Sequence, residues 1–82
     1  MPVFMPKSLR TASQRRFQEL LIDARKAKKL TQWDVAKRLG RPQSFVAKYE
    51  GGERRLDVPE FIEVTKALGA DPRVLLAKML EK

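Results

Sequence analysis

The sequence predicts an all-α fold, a compact single domain of five short helices. Leu and Ala together number 18, against 11 Val, Ile and Thr, and this balance favours helix over strand. Apolar residues recur at helical spacing between start and stop signals, and no stretch is a convincing strand. With 82 residues, 43% of them apolar, the chain can bury one core and not two.

Start and stop signals divide the chain into these helices. Four polar residues can cap a helix start, and three of them have a capping-box partner three positions later. They are Thr11 with Gln14, Thr31 with Asp34, Asp57 with Glu60, and Asp71 before Pro72. Gly40, Gly51, Gly52 and Gly69 are suited to the positions that follow a helix end. The helix between about residues 42 and 50 is then the third.

The apolar residues within the predicted helices form stripes that should face the core. In the first helix these residues are Phe17, Leu20, Leu21, Ala24 and Ala27, and in the second they are Val35, Ala36 and Leu39. In the fourth helix they are Phe61, Ile62, Val64, Thr65 and Leu68, and in the fifth they are Val74, Leu75, Leu76, Met79 and Leu80. Residues 1–10 are predicted to form an N-terminal arm, and residues 11–82 to form the domain. The fifth helix carries apolar residues on more than one side, more than one core contact requires.

The composition excludes several classes of function. The chain has no Cys and no His, so disulfides, thiolate zinc sites and imidazole-based catalysis are absent. The acidic side chains are expected to be caps and helix surface, and Gly51-Gly52 lacks the rest of a phosphate-binding loop. We therefore expect no enzyme, no metal and no cofactor. The longest apolar run has four residues, so we expect a soluble, cytoplasmic protein.

Positive charge is concentrated in the first two thirds of the chain. Residues 1–55 carry 14 Lys and Arg against 5 Asp and Glu, whereas residues 56–82 carry 4 against 5. This asymmetry is expected where one part of a domain faces a polyanion. By itself it leaves open nucleic acid, an anionic membrane or a basic solvated surface.

The segment from Leu30 to Gly52 predicts two helices joined by a tight turn. Such a turn forces a steep crossing, which requires a small residue at the contact and a turn residue that accepts positive φ. Ala36 and Gly40 supply these, and Val46 can return an apolar side chain to the crossing. The three positions together predict a helix-turn-helix.

This segment resembles the helix-turn-helix of the lambda-repressor-like family, the Cro and Xre type of bacterial and phage regulators. The resemblance covers about residues 11–76. It is carried by Leu30-Thr31-Gln32, Ala36, Leu39-Gly40, Val46, Tyr49-Glu50, Gly52 and Ala67-Leu68-Gly69. It implies a sequence-specific regulator that binds double-stranded DNA with the second helix of the pair in the major groove.

The resemblance also implies roles for individual residues. On a helical wheel, Val46 and Tyr49 face the core, Phe45 falls at the border and is expected to be partly exposed, and the other residues form a polar face. The base-reading residues implied are Gln43, Ser44, Ala47 and Lys48, and Gln32 is implied to bind a phosphate. Arg41, Arg54 and Arg55 flank the recognition helix and are candidate phosphate contacts for that reason. Lys7, Arg10, Arg15 and Arg16 are further candidates for contact with the DNA backbone, or merely aid solubility.

Other positions are expected to be structural. Arg25 and Glu50 match family positions that pair inside the domain. Trp33 is expected to pack at the edge of the core, and stacking on a base is the alternative. Pro42 departs from the family pattern because it replaces a capping Ser or Thr. Arg41 departs from it because an apolar residue is usual there.

We expect a homodimer, because one recognition helix contacts only a few base pairs and specific sites are usually paired half-sites. The fifth helix, or Phe4 and Met5 of the arm, could supply the dimer surface. The alternative function is a protein-interaction module, for example an antitoxin-like partner, that has kept the fold.

Overall fold

The computed structural model describes residues 11–81, and within that range it contains five helices and no strand. The helices are α1 (Ala12–Ala27), α2 (Gln32–Leu39), α3 (Gln43–Gly51), α4 (Val58–Leu68) and α5 (Pro72–Leu80). The predicted all-α fold of five helices is therefore confirmed. The predicted arm, with Phe4, Met5, Lys7 and Arg10, lies outside the described residues.

The capping residues act where the sequence places them. The Thr31 hydroxyl accepts a 3.0 Å bond from the N–H of Asp34, whose carboxylate accepts a 2.9 Å bond from the N–H of Thr31. Asp57 and Glu60 form the same reciprocal pair at the start of α4. Thr11 with Gln14 matches the capping-box sequence more closely than the other two pairs. At the start of α1, however, the described contact is a single bond, which the Thr11 hydroxyl accepts from the N–H of Gln14.

The turns that separate the helices use the left-handed backbone region. Gly40 ends α2 with φ at 69°, a conformation that other L-residues rarely adopt, and so makes the turn into α3 possible. Lys29, after α1, also has a positive φ, of 59°, although it is not a glycine. For this reason, no glycine in the sequence marks the end of α1.

One core unites the five helices. Its buried apolar residues are Leu20, Leu21, Val35, Ala36, Phe45, Val46, Tyr49, Phe61, Val64, Leu68 and Leu75. In α5, which packs against α1 and α4, Leu75 alone is fully buried and Met79 is half-buried.

Five residues of the predicted apolar stripes are exposed: Ala27, Ile62, Val74, Leu76 and Leu80. For Ala27 and Ile62 the expected burial was wrong. The three exposed residues of α5 agree with the expectation that this helix has more apolar residues than one core contact requires, because a helix at the edge of a small domain has neighbours on one side only. Apolar spacing identifies the helix but does not say how wide a stripe its neighbours will cover.

Candidate nucleic-acid interface

The helices α2 and α3 are joined by a tight turn and pack against each other, as the sequence predicts. Ala36 and Val46 are both buried. The N–H of Arg41, in the turn, donates a 3.0 Å bond to the carbonyl of Ala36, which closes the end of α2. The two helices are thus held as a helix-turn-helix, with the outer side of α3 turned away from the core.

The third helix has two distinct faces. Val46 and Tyr49 are buried, as predicted. Ser44 and Lys48 are exposed, and Gln43 and Ala47 are half-buried. The four residues predicted to read bases therefore lie on the accessible side of α3, which we call the groove face: Gln43, Ser44, Ala47 and Lys48.

Phe45 is an exception to the predicted pattern. Its exposure is 8%, so it belongs to the core, and the expectation of partial exposure was wrong. The ring packs edge-on against Tyr49, with 5.6 Å between the centroids. The Cζ atoms of Arg41 and Arg54 lie over the ring, 4.5 and 5.0 Å from the Phe45 centroid, so two guanidinium groups cover it.

A chain of hydrogen bonds links the groove face to the interior. Gln43 Nε2 donates a 2.7 Å bond to Gln32 Oε1, and Gln32 Nε2 donates a 2.8 Å bond to Glu50 Oε1. Glu50 in turn accepts bonds of 2.7 and 3.1 Å from Arg25 Nε and Nη2. Gln32, expected to bind phosphate, thus also positions the first residue of α3.

Arg25 and Glu50 form the internal pair that was predicted. Their side chains are 13% and 5% exposed, and their contact joins α1 to α3. The remaining guanidinium nitrogen of Arg25 donates a 2.8 Å bond to the carbonyl of Leu30, so the pair also fixes the segment before α2. Gln18 donates to the backbone carbonyl of Glu50 at 3.2 Å. Multiple bonds of this kind are what a buried ion pair needs to be tolerated.

The candidate phosphate ligands differ in how strongly they are already engaged. Arg54 forms a bidentate ion pair with Glu60, with bonds of 2.8 and 2.7 Å. Hydrogen bonding to Glu60 raises the pKa of Arg54, and the same contact from Arg54 is the main cause that lowers the pKa of Glu60. The side chains of Arg41 and Arg55 are both exposed. The ion pair of Glu60 with Arg54 was not predicted, because the capping box with Asp57 already accounted for an acidic residue at position 60.

Trp33 lies on the surface with 69% of its area exposed, so the expectation that it packs at the core edge was wrong. It is the second residue of α2 and follows Gln32, which belongs to the hydrogen-bond chain. A side chain at the edge of a helix's apolar face is buried only where a neighbouring helix or loop covers it. Here the core side of α2 is filled by Val35 and Ala36.

Other kinds of site find no support in the part of the chain that is described. Within residues 11–81, no group of acidic side chains is arranged to hold a metal ion. None of the helices in that range has the length and apolarity needed to cross a membrane.

A family model described as a helix-turn-helix domain matches residues 9–79. The chain belongs to the lambda-repressor-like helix-turn-helix family. Among solved structures, an XRE-family like protein from Pseudomonas syringae pv. tomato str. DC3000 is 47% identical, with a TM-score of 0.82 and 90% of each chain covered. The restriction-modification controller protein C.AhdI from Aeromonas hydrophila is 31% identical, with a TM-score of 0.72; 79% of this chain and 98% of that chain are covered. No curated protein matches.

Membership in this family determines the general class of activity. Its members are non-enzymatic DNA-binding regulators, so the domain described here is a DNA-binding helix-turn-helix of the Xre type.

Proposed function

We propose that the protein is a sequence-specific transcriptional regulator that binds double-stranded DNA as a homodimer, with α3 of each protomer in the major groove. The observation that carries this proposal is the accessible groove face of α3, where Gln43 is held by Gln32 beside exposed Ser44 and Lys48. Side chains of these types can form hydrogen bonds with base edges. A helix surface that faces only solvent would not need a hydrogen bond that orients Gln43. We place its site of action in the cytoplasm.

The proposed base contacts follow from the chemistry of the groove face. Gln43 can bond adenine through a donor and an acceptor, and Ser44 can bond several base edges. Lys48 can reach guanine acceptors, and Ala47 can contact a thymine methyl group. Gln32, Arg41, Arg54 and Arg55 are proposed to contact phosphates around α3. For Arg54, such a contact would be shared with Glu60, which already binds both terminal nitrogens of its guanidinium.

A homodimer is proposed because two recognition helices can read paired half-sites about 34 Å apart, one turn of the duplex. Exposed apolar residues on α5 support a self-contact. Leu76 and Leu80 are one helical turn apart on one flank of α5, whereas Val74 lies on the opposite flank of the buried Leu75. We place the dimer contact on the flank of Leu76 and Leu80.

The relatives support a regulatory role. One of them is named as a restriction-modification controller protein, and it covers 79% of this chain. Another is named as an XRE-family like protein and covers 90% of the chain.

Binding to a random pool of duplexes, followed by sequencing of the selected ones, tests the proposal. We expect a site with two related half-sites. With about six cationic phosphate ligands in a dimer, log K should fall with log salt with a slope of about −5. Absence of affinity for any duplex would exclude the proposal.

The dimer is tested separately by sedimentation. Leu76 and Val74 are equally exposed, at 50% and 51%, so they provide a matched pair of substitutions. Leu76→Glu should give a monomer with weak binding to the paired site, whereas Val74→Glu should remain dimeric. A wild-type protein that sediments as a monomer at high concentration would contradict the dimer but not DNA binding.

A protein-interaction module is the second candidate, and exposed Trp33 favours it, because Trp is common at protein interfaces. Purification with a defined protein partner, together with no affinity for DNA, would support this candidate over the first.

A further inference from the structure

Three side chains meet at the N-terminal end of α3 in an arrangement that the family resemblance does not explain. Arg41 precedes α3 in the turn, Phe45 lies in its first turn, and Arg54 follows the helix. Both guanidinium groups lie over the ring of Phe45, within the range of about 6 Å for a cation–π interaction.

The two arginines differ in their other contacts. Arg54 donates 2.8 and 2.7 Å bonds to the two carboxylate oxygens of Glu60, and it also donates to the carbonyl of Arg55 at 2.9 Å. Arg41 is exposed and makes no ion pair with any residue between 11 and 81. The ring of Phe45 is therefore the contact that restrains the guanidinium of Arg41.

From these contacts we infer that Phe45 is a positioning residue, which holds the guanidinium of Arg41 at the start of α3 ready to bind a DNA phosphate. The inference rests on the proposed function and deepens it. It distinguishes the two arginines: the ring holds Arg41 for its phosphate, whereas Arg54 is held by Glu60, also covers the ring, and shares any phosphate contact with Glu60.

An aromatic ring suits this task better than a carboxylate. A carboxylate beside Arg41 would restrain it but would also neutralise it and repel the incoming phosphate. The ring face attracts a cation while carrying no net charge, so the guanidinium keeps its full charge and loses part of its rotational freedom before binding.

Glu60 is the nearby carboxylate that could compete for Arg41, and its oxygens are already occupied. Oε1 accepts bonds from Arg54 and from the N–H of Asp57, and Oε2 accepts a bond from Arg54. Arg54 therefore binds both oxygens of Glu60, whereas the charge of Arg41 is the smallest of the causes that lower the pKa of this carboxyl, so Arg41 stays available to DNA.

A double-mutant cycle on the selected duplex tests this inference. Phe45→Leu should weaken binding by about two- to fivefold, the range expected for an exposed cation–π contact. It should leave the salt slope unchanged, because Arg41 still reaches the phosphate. Arg41→Ala should also reduce the slope, by about 0.9 for each phosphate that the arginine no longer neutralises. The double variant should bind like Arg41→Ala alone.

The inference would be overturned if the loss of affinity in the double variant equalled the product of the two single losses, since the residues would then act independently. Equal affinities of Phe45→Leu and wild type would also overturn it. Lys78→Ala is the control for removal of an exposed cation, since Lys78 lies on α5, and it should bind like wild type. If wild type binds no duplex, the proposed function fails instead.

Because Phe45 is buried, its replacement can unfold the domain, so a second measurement uses the wild-type protein alone. In the free protein, NMR should show the side-chain protons of Arg41 shifted upfield by the ring current of Phe45. Resonances at the positions of an unstructured arginine would overturn the inference without any substitution.

Discussion

Gln43 Nε2 donates a 2.7 Å hydrogen bond to Gln32 Oε1, which joins the first residues of α2 and α3. One N–H and the carbonyl oxygen of the Gln43 amide remain for another partner. That is the donor and acceptor pair that matches adenine in the major groove. Through Gln32 and Glu50, the same amide is connected to the largely buried side chain of Arg25, so the interior of the domain orients a groove-facing side chain.

Gln43→Ala should weaken binding to the selected site by about 1–3 kcal/mol and relax preference at one base pair, because it removes a bidentate hydrogen-bonding group there. Affinities for duplexes altered at each position of the half-site measure this. Arg41→Ala is the comparison, and it should weaken binding to all these duplexes alike. A uniform decrease in both variants would show that Gln43 does not read a base.

Gln32→Leu should relax preference at the same base pair as Gln43→Ala, although by less, because it removes the restraint on Gln43 while keeping the base-reading amide. The same set of altered duplexes measures it. An unchanged preference, or a change at a different base pair, would mean that the hydrogen bond between the glutamines has no part in recognition.

Arg25→Ala should lower the free energy of unfolding by about 3 kcal/mol, because it leaves Glu50 as a buried charge without its cation. In a domain of this size, the melting temperature should fall by more than about 10 °C. Urea and thermal unfolding provide the measurement. Replacing the pair together, as Arg25→Met with Glu50→Leu, should cost less than Arg25→Ala, and a larger cost would contradict the explanation.

Stability should decrease in acid partly through Glu60. Its carboxyl pKa lies below the ordinary value of 4.5, chiefly because of the hydrogen bonds from Arg54. A lowered pKa in the folded state means that the carboxylate stabilises the fold above about pH 4.5 and that this stabilisation is lost as the pH falls through the folded value.

In Glu60→Gln, the free energy of unfolding should be lower at neutral pH and should fall less between about pH 5 and 3, measured by urea unfolding. Glu63→Gln, on the same helix, is the control and should follow the wild type, since Glu63 is exposed and makes no ion pair within residues 11–81. Parallel pH curves for Glu60→Gln and wild type would contradict the prediction.

Tyr49 buries a hydroxyl group that has no hydrogen-bond partner among residues 11–81. Burial is also the main cause that raises the pKa of this hydroxyl. Tyr49→Phe should therefore raise the free energy of unfolding by about 1 kcal/mol, because an unsatisfied buried polar group is removed. Tyr49→Leu should lower it, because the ring that packs against Phe45 is removed. Destabilisation by Tyr49→Phe in urea unfolding would contradict the prediction.

The sequence by itself determined the features that depend on neighbours along the chain. Caps such as Thr31, the glycine at 40 and helical apolar spacing act within a few residues, so the five helices were predictable. The outward face of α3 was also predictable, because the burial of Val46 and Tyr49 leaves Ser44 and Lys48 on the other side.

Tertiary structure decided which boundary positions are covered, because coverage depends on segments that are distant in the chain. Phe45 is buried under Arg41 and under Arg54, nine residues beyond it, whereas Trp33, at a similar border on its own helix, remains exposed. The ion pair between Arg54 and Glu60 likewise depends on the path that the chain takes between α3 and α4. The periodicity of the sequence predicts which face of its helix a side chain lies on, whereas the residues that it contacts are determined by tertiary packing.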